Sequence, residues 1–277
     1  MIKNKPLVFL LGTAAAGVLT IHAQTATSAP QPASAPPEIS VDVTPTYVSQ
    51  YMFRGQELGS QSIQVPIESI DGPWTAGLWT DTPLRNVDHQ SNPEIDYYAS
   101  YSRPLCSDLD VKAGLTLYTY PENNLNDGFR KKMGVGEGYY RSTFEPNVGL
   151  DYTIAGLKLT PTYSYDTVLR GSNYDLAAVY AVPMKDAGAE IDFNANTGYY
   201  LYSDASKIYS NVGAVKSRGD YWSLGASVPF HVARNLKLAI GWAYEDGDGH
   251  LTQNATQISN RECVRRGVFS ASMSYRF

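Results

Sequence analysis

A chain of 277 residues with 43% hydrophobic and 18% charged residues, a net charge of -5 and a mean hydropathy of -0.28 has the averages of an acidic soluble protein of one or two domains. Its one strongly apolar run, Pro6 to Ile21, is short of the roughly 20 residues a spanning helix needs, which excludes a helical membrane protein. Two cysteines, Cys106 and Cys263, exclude a disulfide framework, whereas 21 Tyr and 23 Gly favour β-structure.

Residues 1–23 place Lys3 and Lys5 before the apolar run and end on Ile21-His22-Ala23, the layout of a cleaved secretory signal peptide. Cleavage removes those two lysines and takes the net charge from -5 to -7. Residues 24–38, almost wholly Ala, Pro, Ser, Thr and Gln up to Pro37, cannot bury a core and are expected to form a disordered lead-in. From residue 39 to 277 the period of two replaces any helical period. Ile39, Val41, Val43, Tyr47, Tyr51 and Phe53 alternate with Ser40, Asp42, Thr44, Thr46, Gln50 and Arg54, and the same alternation recurs over 109–117 and 157–166. Side chains on a strand alternate faces, so each such segment has one apolar and one wet side.

Twelve segments of this kind are predicted, near 39–53, 61–70, 74–82, 94–105, 109–120, 142–154, 157–168, 173–184, 188–202, 219–230, 236–245 and 266–277. Tight connections such as Asp71-Gly72-Pro73 and Ala155-Gly156 alternate with long ones such as 121–141 and 246–265. The pattern predicts an all-β fold: a transmembrane antiparallel up-and-down β-barrel of about 12 strands, following the signal peptide, with short periplasmic turns and longer outer loops. A soluble β-sandwich also alternates, but its strands are shorter and its apolar faces must meet a partner sheet. Aromatics near strand ends (Tyr51 and Phe53, Trp74, Tyr118 and Tyr120, Tyr163 and Tyr165, Tyr199 and Tyr200, Trp242 and Tyr244) read as the interfacial girdles of a barrel in lipid. The final segment carries Phe269, Ala271, Met273, Tyr275 and Phe277 in one phase; Phe277 resembles the insertion signal by which bacterial outer-membrane barrels are recognised by the barrel assembly machinery.

Tyr47-Val-Ser-Gln-Tyr-Met-Phe-Arg-Gly55, Gly77-Leu-Trp79, Glu94-Ile-Asp-Tyr-Tyr-Ala-Ser-Tyr101 and Leu117-Tyr-Thr-Tyr-Pro121 together resemble the TorF family of outer-membrane porins. The resemblance covers the first third of the chain and implies a barrel in the bacterial cell outer membrane; it names no solute. A barrel so placed is expected to contact outer-membrane lipid and lipopolysaccharide.

With the apolar phase toward lipid, the opposite phase is expected to line a lumen. It carries the acids Asp42, Glu68, Asp81, Glu94, Asp96, Asp110, Glu145, Asp151, Asp166, Asp175, Glu190, Asp192 and Glu245 against the bases Arg54, Lys112, Lys158, Lys237 and Arg276. A charge facing lipid at mid-bilayer would cost about 2–4 kcal/mol, which drives these residues inward. The expected function is a narrow water-filled channel whose acidic wall favours small polar or cationic solutes, with Arg130, Lys131 and Lys132 of the 121–141 connection as candidates for a constriction loop. Two other classes stay open. One is a closed structural or adhesion barrel with no transport. The other is an outer-membrane lipid hydrolase, for which His89, His231 and His250 lack an evident serine and orienting partner. The expectation is therefore not an enzyme. No cofactor or metal is expected: Glu245-Asp-Gly-Asp-Gly249 lacks the distal ligands of a calcium loop. The acidic balance offers no patch for nucleic acid.

Overall fold

The alternation fixes which side chains can face water, and hydrogen bonding fixes the rest, because backbone groups in a bilayer must pair with one another. The computed structural model describes residues 39–84, 93–121, 142–184, 189–204, 215–253, 256–259 and 263–277. The expected signal peptide, the lead-in over 24–38 and the loop residues Arg130, Lys131 and Lys132 lie outside the described residues.

Sixteen strands occur among the described residues. They are β1 (Ser40–Val43), β2 (Thr46–Val48), β3 (Tyr51–Phe53), β4 (Gln56–Gly59), β5 (Ser62–Asp71), β6 (Trp74–Pro83), β7 (Glu94–Cys106), β8 (Leu109–Thr119), β9 (Ser142–Ile154), β10 (Leu157–Asp166), β11 (Gly171–Met184), β12 (Ala189–Tyr202), β13 (Val215–Ala233), β14 (Leu236–Gln253), β15 (Thr256–Ser259) and β16 (Arg266–Arg276). β5 to β14 form an uninterrupted antiparallel meander; β16 then pairs with β14 on one side and with β1 and β2 on the other, and β1 and β2 pair with β5. β1 and β2 are two halves of one stave. Pro45 between them has no N–H to give the ladder, and the Thr44 N–H to Pro66 O bond (3.1 Å) and the Met273 N–H to Pro45 O bond (3.0 Å) carry the pairing across the break. The result is a closed barrel of twelve antiparallel staves. Among the described residues no helix is long and apolar enough to cross a membrane.

One rim has tight turns. Ala155 and Gly156, with φ of +49° and +85°, form the two-residue left-handed turn whose twist matches that of the flanking strands. At the other rim two strands outrun their expected length. β13 and β14 have 19 and 18 residues, which at ~3.4 Å per residue is about 60 Å, far more than a tilted crossing of a ~25 Å apolar band requires. The surplus lies at the rim of the long connections, where β15 pairs with the outer end of β14. The segment expected to end at residue 245 therefore continues to Gln253, so Glu245-Asp-Gly-Asp-Gly249 is strand rather than loop.

Directly opposed residues in an antiparallel ladder share a face, so the registers sort the side chains. Tyr97, Val148, Leu224, Ile240 and Trp242 point outward and are exposed. Asp81, Glu94, Asp96, Glu145 and Asp192 point inward and are buried. The aromatic assignment needs correction. Trp74, Tyr163, Tyr165, Tyr199, Trp242 and Phe277 lie on the outer surface as expected, and Trp74 meets Tyr101 edge-on at 4.7 Å, but Tyr51, Tyr118 and Tyr200 are buried inside the barrel. Several inward tyrosines lie flat along the wall over a directly opposed glycine: Tyr98 over Gly77, Tyr221 over Gly198 and Tyr200 over Gly219. A Cβ at any of these glycines would fall within 2.6 Å of the ring hydroxyl, so the pairing lets a large ring line the wall without reaching across the bore. Part of the high Tyr and Gly content answers this interior need.

Cys106 is exposed at the tight-turn rim, whereas Cys263 bridges to Gln56 at the opposite end and its thiol lies 3.5 Å from the Tyr200 hydroxyl; neither cysteine forms a disulfide among the described residues. Reduced and non-reduced monomer should therefore run at the same mobility; a faster non-reduced band traced to a Cys106–Cys263 crosslink would contradict the strand map.

Candidate functional site

The chain does not go directly from β2 to β5. After Val48 it leaves the wall, and β3 and β4 pair with each other in a two-stranded sheet separate from the barrel, with the single Gln56–Cys263 bridge beyond it. The segment expected to continue as one wall strand through Phe53, with an outer connection from Gly55, is instead a hairpin folded into the bore. Its two-residue turn is Arg54-Gly55, both left-handed, with φ of +51° and +72°. Glycine adopts this conformation freely; an arginine there is held against a cost of about 1 kcal/mol.

The side chain of Arg54 supplies the restraint. Its guanidinium grips Glu145 of β9 with both branches, Nη1 to Oε2 at 2.9 Å and Nη2 to Oε1 at 2.8 Å. It also donates to the hydroxyls of Tyr202 on β12 (3.0 Å) and Ser164 on β10 (3.4 Å), and it lies 4.6 Å from the centre of the Phe53 ring. Glu145 in turn accepts from Asn173 (3.0 Å) and Tyr118 (3.3 Å), and Tyr202 donates to Asn173 (2.8 Å). The Arg54 and Glu145 side chains are only 5% and 1% exposed. A bidentate pair whose remaining lone pairs are satisfied is the arrangement in which burial of two charges is tolerated.

Backbone contacts seat the tip against a different part of the wall. Gly55 packs on Gly247 of β14 and on Tyr221 of β13, and Val264 N–H donates to Gly55 O at 3.3 Å. Met52 is fully buried, Tyr51 packs on Trp79 (5.7 Å), Phe53 on Tyr118 (6.1 Å), and Glu57 pairs with Arg266 at 3.1 Å. The hairpin thus spans the bore from β2 and β5 to β9, β10, β12, β13 and β14, near the rim that carries the long connections.

The remaining charged residues fall into three groups. Beside the hairpin base, Asp81 and Glu94 are directly opposed on β6 and β7, and Asp96 follows on the same face. Tyr51 donates to Glu94 at 2.7 Å, and Ser62 and Gln64 donate to Asp81 at 2.6 and 3.1 Å. Toward the tight-turn rim, Asp151 is shared by Lys112 (2.7 Å) and Lys158 (2.9 Å), Arg276 holds Asp42 (2.7 Å), and Tyr98 donates to Glu68 (2.9 Å). Asp175, Glu190, Asp192 and Lys237 also lie on the inward phase, as does Asp166, which accepts from Thr143 at 2.7 Å. A recess lined by Asn194, Ser223, Ser227, Gly241, Glu245 and Ser270 opens on the small-residue face of β13, β14 and β16.

Residues 30–268 match a family described as bacterial proteins of unknown function, Gcw_chp. The chain belongs to the Gcw_chp family. No curated protein matches it. Among solved structures it is similar to OmpT, an outer membrane protein of Vibrio cholerae (11% identity, 87% of this chain and 97% of that chain, TM-score 0.39). It is also similar to LpxR from Salmonella typhimurium (6%, 85% and 99%, TM-score 0.45) and to the COG4313 outer membrane channel from Pseudomonas putida F1 (11%, 88% and 97%, TM-score 0.41).

In this Gcw_chp barrel every charged position expected on the wet phase is on the inward phase, with one change of role: Arg54 reaches the bore from the hairpin rather than from the wall. The periodicity of two does not reveal the hairpin, although Arg54-Gly55 between Tyr51-Met-Phe53 and Gln56-Glu-Leu-Gly59 has the form of a two-residue hairpin turn. His231 and His250 lie near opposite ends of the β13–β14 ladder, and His89 lies outside the described residues.

Proposed function

We propose that this protein is a channel of the bacterial outer membrane, with a narrow, water-filled, acidic lumen that passes small polar or cationic solutes by passive diffusion. The observation that carries this reading is the chemistry of the unsatisfied interior. Among the described residues, the buried side-chain polar atoms lacking a partner include carboxylate oxygens of Asp96, Asp175, Glu190 and Asp192 and amide oxygens of Asn196 and Gln50; the others are hydroxyls, and none is a nitrogen. Buried acceptors without donors are costly in a dry core. In a wetted bore they are served by water or by a passing donor, and they favour cations as charged rings in pores do. The motif resemblance to TorF porins agrees with this assignment. On this reading the outer surface meets lipid and lipopolysaccharide, and Phe277 serves as the insertion signal toward the barrel assembly machinery.

The hairpin favours a second reading, a closed structural barrel, because it crosses the bore with its buried charges paired. Planar bilayers separate the two. The channel predicts discrete conductance steps and, across a KCl gradient, a reversal potential of the sign that marks cation preference. Silence from protein that retains the heat-modifiable mobility of a folded barrel would retire the channel in favour of the closed form.

A further inference from the structure

Three inward acids gather at the hairpin base without a cation among them. Asp81, Glu94 and Asp96 are 2%, 4% and 0% exposed, and none takes part in a salt bridge among the described residues. Asp81 and Glu94 at least receive hydroxyl or amide donors. The Glu94 carboxyl and the Thr119 N–H approach Asp96, but neither makes a hydrogen bond of good geometry with its oxygens. A fully buried carboxylate with two idle oxygens, directed into a pair of further carboxylates, leaves a place for positive charge that the chain does not fill. The surroundings narrow what fits. Tyr51, Trp79 and Tyr98 pack together at this position and present aromatic surface beside the acids. Among the described residues the carboxylates do not make a metal-holding group. Acceptors on one side and ring faces on the other suit a cation that donates several N–H bonds and carries a short apolar stem.

We propose that Asp81, Glu94 and Asp96, walled by Tyr51 and Trp79, form a binding site for the primary ammonium group of a solute. The inference rests on the reading of the lumen as open to water, and it makes the acidic wall a selective site rather than a diffuse field. Because Tyr51 belongs to the hairpin and donates to Glu94, an occupant also bears on the inner hairpin's seat.

The test is calorimetric titration of the refolded full chain in detergent micelles with methylammonium chloride, and separately with tetramethylammonium chloride and potassium chloride. The expected result is saturable binding of one methylammonium per chain, no saturable binding of tetramethylammonium, which has no N–H, and weaker binding of potassium. Asp96→Asn should lower methylammonium affinity at least ten-fold, and Tyr51→Phe should lower it less. In cation-poor buffer Asp96→Asn should unfold at a higher temperature than the parent, because it removes an uncompensated buried charge; an acid with a purely structural role would give the reverse. Absence of saturable methylammonium binding, equal binding of tetramethylammonium or potassium, or undiminished binding by both Asp96→Asn and Asp81→Asn would each overturn the site. Titration in micelles does not depend on conduction. Silent bilayers with saturable binding would therefore retire the channel and keep the site, whereas conductance without binding would retire the site alone.

Discussion

Arg54→Ala should produce a several-fold rise in single-channel conductance while leaving the barrel folded. The substitution removes both branches of the grip on Glu145 and the donors to Tyr202 and Ser164. Glu145 keeps Asn173 and Tyr118 as donors but is left as a charge with a side chain only 1% exposed, a situation that costs about 3–5 kcal/mol. The protein can avoid that cost locally. β3 and β4 have only three and four residues and, beyond their own pairing, a single bridge from Gln56 to Cys263, and a two-stranded hairpin on its own is marginal in water. Swinging the hairpin out of the bore rehydrates Glu145 and releases the left-handed Arg54-Gly55 turn without touching the hydrogen bonds of the twelve staves. Arg54→Lys, which keeps the charge but loses the planar fork, should fall between parent and alanine. The measurements are single-channel conductance and the temperature at which heat-modifiable mobility is lost. Unchanged conductance with intact barrel mobility would show that the hairpin does not limit flow.

How much of this was legible in the sequence depends on what each residue has to satisfy. The wall was legible because lipid imposes a strict rule: Leu109, Val111 and Leu117 must alternate with Asp110, Lys112 and Thr116, or the strand does not insert. Above the bilayer the rule lapses. Asp246 to Gln253 has no apolar phase, so it reads as loop, yet it pairs with β13 residue for residue up to Val215. The hairpin was hidden for the opposite reason. Tyr47, Tyr51 and Phe53 keep one phase across the point where the chain turns inward, so periodicity alone continues the wall strand through it. The interior aromatics carried a usable signal: Tyr118 shares its phase with Lys112 and Thr116, and Tyr200 with Asn194 and Asn196, the wet phase in both strands. Residue type suggested girdles, whereas phase places these rings inside. What no alternation encodes is pairing across the bore. That Arg54 meets Glu145, 91 positions later, follows from barrel closure and hairpin length together.

Gly247→Ala should give the same open phenotype as Arg54→Ala, with no change of charge. A Cβ at position 247 would lie 2.3 Å from Gly55 O, 2.7 Å from Gly55 Cα and 2.8 Å from Gly55 C. All three are backbone atoms, so no rotamer change can relieve the contact. Gly55 cannot turn away either, since its φ of +72° is set by the two-residue turn that it shares with Arg54. The hairpin tip must move off β14, and the Arg54 to Glu145 geometry, fixed by two bonds within 0.1 Å of each other in length, then goes with it. The wall has no reason to suffer: Gly247 lies inside a strand, where alanine is at least as well tolerated as glycine. If one seated hairpin is the common cause, the double variant Arg54→Ala/Gly247→Ala should conduct no more than either single variant, because the second change finds nothing left to release. Fully additive increases would instead mean that the two residues act on flow separately. A Gly247→Ala channel indistinguishable from the parent would place the hairpin tip away from β14.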